Sequence, residues 1–343
     1  MHTDIVCPSY TRGSAAWAVI FSYSNTLVRI RGSFILITAE ETFNGTWPYA
    51  PCFSQASGFK QHYVDEGPRG GETILCLHGE PTWGYLYRNM IGPLSENFRV
   101  VVPDHMGFGK SETPQDRVYT LQTHVENLER FVEALDLKDI TIVCQDWGGP
   151  MAGAFTARNP SRVSRLFMAN TVLGYGGGTA AAGRTPWFEW IAKHEEAGTL
   201  NGILGELGST ILSVMKIIGF QNSATVDDTW IRAYSAPFPD RESCVGGINF
   251  PLDVHYGRFL PFVFETMETG DIEALKAKPA ILISGDKDYG IAQDHAISDF
   301  KGLFPDRRVI KVEGVGHFCQ EDIPQQLVNF IQKFIADHPR GVS

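Results

Sequence analysis

The sequence predicts an α/β fold: a mostly parallel sheet covered by helices and interrupted once by an inserted segment. Three observations carry the prediction. Short apolar runs rich in β-branched residues recur along the chain, helical stretches separate them, and one run ends in a tight turn flanked by small residues. In chain order, residues 61–64 read as a strand closed by the turn residues 65–71. Residues 73–77 are apolar throughout, which suits a strand buried on both faces. The runs 99–102, 140–143, 163–168, 280–283 and 308–312 repeat that signature, with helical stretches such as 121–135 and 325–335 between them. From Thr171 to about Pro261 the alternation stops. Glycines, aromatics and helix-like segments take its place, so an inserted helical cap over 171–260 is expected. Most of its aromatics (Trp187, Phe188, Trp190, Trp230, Tyr234, Phe238, Phe250) should fill the insertion's own core, with one or two roofing a pocket. Residues 46–170 and 261–343 would form the core, and 1–45 an N-terminal extension of uncertain structure.

A chain of 343 residues has ample apolar material for a large core with an insertion. Its net charge of −10, without any Lys/Arg-rich cluster, argues against nucleic acid or an anionic membrane as partner and favours a small neutral substrate. Cysteines at 7, 52, 76, 144, 244 and 319 show neither C-x-x-C nor zinc spacing. Reduced, buried thiols and a cytoplasmic location are therefore expected. The uncharged stretch 13–28 is too short to span a bilayer, and a loose extension or an extra strand pair is expected rather than a secretory signal.

Residues Gln145-Asp146-Trp147-Gly148-Gly149 follow the run 140–143, with small Cys144 and Gly148 two positions either side of Asp146. A strand-to-helix turn bends this sharply only with small residues at those positions. Asp146 thus occupies the nucleophile position. Serine there would need a base before attacking a carbonyl, whereas a carboxylate is ionised at neutral pH and can attack saturated carbon unaided, giving an ester. The competing reading is a loop Asp that caps the following helix. Two further loops after strands hold suitable groups: Gly285-Asp286-Lys287-Asp288, and Gly314-Val315-Gly316-His317. Nucleophile, acid, histidine is the chain order of the α/β-hydrolase fold. His317 would be a general base held by an acid. The Glu80 N–H, in His78-Gly79-Glu80-Pro81, and the Trp147 N–H are the natural oxyanion-hole donors.

Five motifs together closely resemble the haloalkane dehalogenases: His78-Gly79-Glu80-Pro81-Thr82-Trp83, Asp104-His105-Met106-Gly107-Phe108-Gly109-Lys110-Ser111, Gln145-Asp146-Trp147-Gly148-Gly149, Asp286-Lys287-Asp288 and Gly316-His317. The likeness runs from about 47 to 336, and the cap segment 233–240 resembles the branch whose third triad member is an aspartate. The resemblance implies an eight-stranded sheet, Asp146 as nucleophile, His317 as base and Asp288 as supporting acid, with Asp286 the second candidate. It also implies halide donors. Trp147 is one; a Glu80 carboxylate would repel halide, so the other should be a cap tryptophan, Trp190 first and Trp187 as the fallback. Halogenated alkane, halide ion and water would be the partners of a monomer that needs no metal or organic cofactor. Two alternatives stay open: an epoxide hydrolase, using hydroxyls of Tyr175, Tyr234 or Tyr256, and a non-catalytic ligand-binding protein.

Overall fold

A computed structural model describes residues 37–176 and 185–340. Its eight strands form one sheet in the order β1-β2-β4-β3-β5-β6-β7-β8. They are β1 (Cys52–Ser54), β2 (Gln61–Glu66), β3 (Thr73–Leu77), β4 (Arg99–Pro103), β5 (Ile140–Gln145), β6 (Val163–Ala169), β7 (Ala280–Lys287) and β8 (Val309–Gly316). The β1–β2 and β2–β4 pairs are antiparallel, and the remaining pairs are parallel. Every residue of β3 and β5 is buried, so both sheet faces are covered where these strands lie. That burial is why their sequences read as continuous apolar runs.

Helices α1 (Arg88–Ser95), α2 (Leu121–Ala134) and α3 (Gly148–Arg158) connect the first strands. Between β6 and β7 come α4 (Pro186–Glu196), α5 (Leu207–Ile218), α6 (Asp228–Ser235), α7 (Val245–His255), α8 (Leu260–Thr269) and α9 (Ile272–Lys276). Helices α10 (Gln293–Leu303), α11 (Cys319–Asp322) and α12 (Pro324–Asp337) complete the chain. In α2, Leu121, Val125, Leu128, Phe131 and Val132 recur at helical spacing and form its buried side, while Thr120 accepts the N–H of Thr123 at its start.

Strands β7 and β8 extend about four residues past the apolar runs that announce them. Their ends, Ser284 to Lys287 and Glu313 to Gly316, pair through backbone bonds across a register shift between Gly285 and Lys287, so no apolar side chain marks them. Edge strand β1 has only three residues and went unmarked in the sequence.

Within 171–260 the described residues form helices and no strand. Trp230, Tyr234, Phe238 and Phe250 are buried, and Trp230 stacks on Phe220 at 5.1 Å. Several polar contacts fasten this layer to the core, two of them through buried aromatic side chains. Trp83 Nε1 donates to the Ala233 carbonyl at 2.9 Å, and the Tyr234 hydroxyl donates to Glu321. Glu321 is fully buried and also accepts both guanidinium nitrogens of Arg88, Nη2 at 2.9 Å. Upstream of β1, Phe43 and Trp47 are fully buried against Trp83, with centroids 5.8 and 5.1 Å away, so the fold begins before residue 46. The rest of the expected extension, 1–36, lies outside the described residues.

Cys76, Cys144, Cys244 and Cys319 are buried free thiols. Cys52 is disulfide-bonded, which corrects the expectation that every cysteine is reduced; Cys7 lies outside the described residues. A lone thiol in a sequence carries no mark of its partner, which is why spacing alone missed the bridge. Among the described residues no helix is long and apolar enough to cross a membrane.

Removing one partner of a buried ion pair strands the other charge. Glu321→Ala should therefore lower the unfolding free energy by about 3–5 kcal/mol, and Tyr234→Phe, which loses one hydrogen bond to a charged group, by about 1.5–3 kcal/mol. Urea denaturation checks both, and an unchanged midpoint for Glu321→Ala would contradict the role given to this network.

Candidate active site

Strand β5 ends at Gln145 and α3 begins at Gly148, leaving Asp146 and Trp147 to make the turn. Asp146 adopts φ +51°, a left-handed conformation that Asp tolerates better than most residues. A Cβ on Gly148 would collide with the Leu77 carbonyl, so only glycine lets α3 approach β3 so closely. Asp146 N donates to the Asn170 carbonyl at 3.2 Å, and Thr171 Oγ1 donates to the Asp146 carbonyl at 2.6 Å. The carboxylate directly precedes the eleven-residue α3.

The helix-cap alternative for Asp146 does not hold, since α3 has no side-chain cap. Its Oδ1 instead accepts the Glu80 N–H at 2.7 Å. Trp147 N–H, the expected second donor, makes no hydrogen bond to that oxygen in this geometry. Oδ2 lies 3.2 Å from His317 Nε2, close but without hydrogen-bond alignment. On the other side of the ring, Nδ1 is 2.8 Å from Asp288 Oδ1, which also accepts the N–H groups of Gly290 and Ile291 at 2.9 and 2.8 Å. Asp286, the second candidate acid, faces outward: it accepts the Gly314 N–H at 2.6 Å and pairs with Lys287 at 3.2 Å. Complete burial lowers the affinity of His317 for a proton, but the Asp288 and Asp146 carboxylates outweigh it and raise the imidazole pKa to about 10.

Asn170, at the end of β6, was not singled out in the sequence. Its Nδ2 donates to the carbonyls of Gly316 and His317, the latter at 3.2 Å, and its Oδ1 accepts the Gly285 N–H at 2.7 Å. One amide thereby sets the β7 and β8 loops that carry Asp288 and His317. The available signal was its place, a polar residue that tolerates positive φ directly after a buried strand; it adopts φ +46°.

Asp146 is 15% exposed and opens onto a cavity of about 330 Å³ with mostly apolar walls. Glu80, Trp147, Trp187 and Phe188 line it. Trp147 stacks on Phe250 at 4.5 Å. Trp190, the first choice for the second halide donor, is not part of the wall; its ring stacks on Trp187 at 5.2 Å and meets His194 at 4.4 Å. Helical spacing puts both indoles near one face of α4 and leaves open which one reaches the cavity. No tyrosine lines the cavity among the described residues. Tyr234 is bound to Glu321, and Tyr256 to Glu195. Glu80 is buried with neither carboxyl oxygen partnered, and burial, then the Asp146 charge, hold its pKa well above the usual carboxylate range. Burial thus works against the charge expected of this side chain, which the sequence did not reveal because it does not display burial. No cluster of three or more His, Cys, Asp or Glu suited to a metal occurs among the described residues.

An aspartate in a sharp turn after β5, a second aspartate after β7 and a histidine after β8 are the arrangement of an α/β hydrolase, and the family described as alpha/beta hydrolase fold matches residues 72–324. A haloalkane dehalogenase of Psychrobacter cryohalolentis is 35% identical over 295 residues, covering 84% of this chain and 91% of that protein. A cis-3-alkyl-4-alkyloxetan-2-one decarboxylase of Shewanella oneidensis is 28% identical, covering 84% and 89%. Among solved structures, a tetrameric haloalkane dehalogenase from Paraglaciecola agarilytica NO2 superposes with a TM-score of 0.71 at 31% identity, covering 90% of this chain and 99% of that one. The chain belongs to the haloalkane dehalogenase family of the α/β hydrolases.

A raised imidazole pKa stabilises the fold fully below the unfolded value of 6.5, and that contribution is lost as pH rises through about 10. Asp146→Asn removes one of the two carboxylates that sustain the imidazolium. The His317 titration followed by NMR should then move to lower pH, and the loss of stability at alkaline pH should start earlier. An unchanged titration would contradict the electrostatic account.

Proposed function

We propose that the chain hydrolyses primary and secondary haloalkanes to alcohol and halide through an ester on Asp146. The observation that carries this is one carboxylate held by the Glu80 N–H on one oxygen, set against His317 by the other, and opening onto an apolar cavity. In the first step an Asp146 oxygen bonds to the carbon bearing the halogen, and the halide leaves with the electron pair of the broken bond. In the second, water adds to the Asp146 carboxyl carbon as His317 takes one of its protons, the bond from that carbon to the alkyl oxygen breaks as the imidazolium returns the proton to it, and alcohol departs while the regenerated carboxyl loses the remaining proton to water. Esterification also discharges Asp146, one of the two charges that raise the His317 pKa, so the imidazole releases its proton to water more readily before it acts as a base. Asp288 orients the ring and supports its cation afterwards.

Donors suited to the halide are the indole N–H groups of Trp147 and Trp187, in a cavity whose walls compete little for it. Trp187 replaces Trp190 in this assignment because it lines the cavity. Residues 171–260 act as the cap over the core. All these groups come from one chain, which supports a monomer as the working unit. Four buried free thiols favour a cytoplasmic setting, and the Cys52 bridge opposes it.

The epoxide alternative loses support because ring opening would need a hydroxyl donor, and Tyr175, Tyr234 and Tyr256 are absent from the cavity wall. The decarboxylase relative supports a second reading, since the alkyl carbon of a strained four-membered lactone has a carboxylate leaving group that the same displacement could expel. Product analysis separates the readings. Purified protein should release bromide from 1-bromobutane and acidify the medium, with Asp146→Asn inactive and His317→Phe trapping an adduct heavier by the alkyl group. Turnover of styrene oxide or a dialkyl β-lactone without bromide release would transfer the assignment. Trp187→Phe should weaken bromide binding by roughly tenfold, the scale of one lost hydrogen bond to an ion, and Trp190→Phe should leave it nearly unchanged.

A further inference from the structure

We infer that Asp322 is a positioning residue for the base: its carboxylate ties the backbone ahead of His317 to a link of the inserted helical layer and so sets the imidazole for ester hydrolysis. This deepens the dehalogenase reading and rests on it. Asp322 closes the short helix α11, just beyond His317. Its two oxygens serve different parts of the chain. Oδ2 accepts the Gly316 N–H at 2.7 Å, and Oδ1 accepts the Asn222 N–H at 2.8 Å. Gly316 ends β8 and directly precedes the base, whereas Asn222 lies in the link that leaves α5. The neighbouring residue reinforces the tie, since the Glu321 carbonyl accepts Asn222 Nδ2 at 3.1 Å.

The two segments meet backbone to backbone. A Cβ on Gly316 would stand 1.7 Å from the Gly219 carbonyl oxygen, and one on Gly219 would strike the Lys287 carbonyl. The His317 N–H donates to the same Gly219 carbonyl at 3.2 Å. The Asp322 bonds are shorter, as charge-assisted bonds are, so this carboxylate is the firmer link. The other groups of the two peptide units are held as well: Asn170 donates to the Gly316 and His317 carbonyls, and Gln145 Nε2 to the latter at 3.2 Å. Asp288 then fixes the ring through Nδ1. Releasing Asp322 would free the Gly316 end of this clamp. Displacement of halide uses Asp146 and makes no demand on the imidazole, but hydrolysis needs Nε2 aimed at a water beside the Asp146 carboxyl carbon. Loss of Asp322 should therefore slow the second step and spare the first.

A single turnover with enzyme in excess over 1-bromobutane separates the steps, because bromide marks the first and butanol the second. Asp322→Asn keeps one acceptor and Asp322→Ala keeps none. Bromide release should stay within about threefold of wild type in both, whereas butanol formation should slow by about tenfold in the asparagine variant and by up to about 100-fold in the alanine variant, the scale of a misplaced catalytic group. A role confined to stability would lower the amount of active protein and reduce both steps together. Amide hydrogen exchange of wild type needs no variant: the Gly316 and Asn222 N–H groups should exchange as slowly as those of β5. Exchange at the rate of an open loop would overturn the inference. So would butanol formation at the wild-type rate in either folded variant, or a loss of bromide release as large as the loss of butanol formation. If wild-type protein releases no bromide at all, the dehalogenase reading falls and this inference with it, whereas a wild type that runs both steps and ignores substitutions at Asp322 overturns the inference alone.

Discussion

The imidazole of His317 stands between two carboxylates, 2.8 Å from Asp288 and 3.2 Å from Asp146, in a site with no exposure of its own. Three strands must end in register for that clamp to exist. Strand β5 presents Asp146, β7 presents Asp288 and β8 presents His317, while Asn170 at the end of β6 ties the last two loops together. Glycines complete the clamp: a Cβ on Gly79 would overlap the Asp146 carboxylate, and one on Gly290 would press within 3.0 Å of His317 Nδ1. The sheet is thus the frame that makes two negative groups and one ring tolerable in a buried place, each charge balanced by the next.

The same electrostatics separates two acids that lie side by side. Asp146 has a helix N-terminus behind it, a backbone N–H on one oxygen and an imidazole against the other. Glu80 has none of these. Partners thus distinguish two neighbouring acids: Asp146 is held by hydrogen-bonding groups, while burial without a partner raises the proton affinity of Glu80. The helical layer supplies aromatic walls to the cavity beside Asp146, and Trp83, Tyr234 and the Arg88–Glu321 pair anchor it to the core.

Chemistry carried by local pattern was legible in the sequence. The apolar runs placed the parallel strands because a strand buried on both faces has no polar side to display, and Asp146 announced itself through its small neighbours. Asp288 and His317 could be paired with it from loop order, although choosing Asp288 over Asp286 rested on the family resemblance. What stayed hidden depends on the third dimension. Trp187 and Trp190 are three residues apart on one helix, and only packing decides which meets the cavity. Asn170 acts through its amide on two distant loops, leaving no local mark. The raised proton affinity of Glu80 follows from burial, and Cys52 is bridged although no spacing rule signals it.

The central claim is that the alcohol oxygen comes from Asp146 and that water enters the protein carboxylate instead. A single turnover with enzyme in excess, in water enriched in the heavy oxygen isotope, tests it most directly. Mass spectrometry of the Asp146 peptide should show the label, and the first alcohol formed should be free of it. Label in the alcohol with an unlabelled Asp146 would mean direct attack by water on the substrate and would contradict the account.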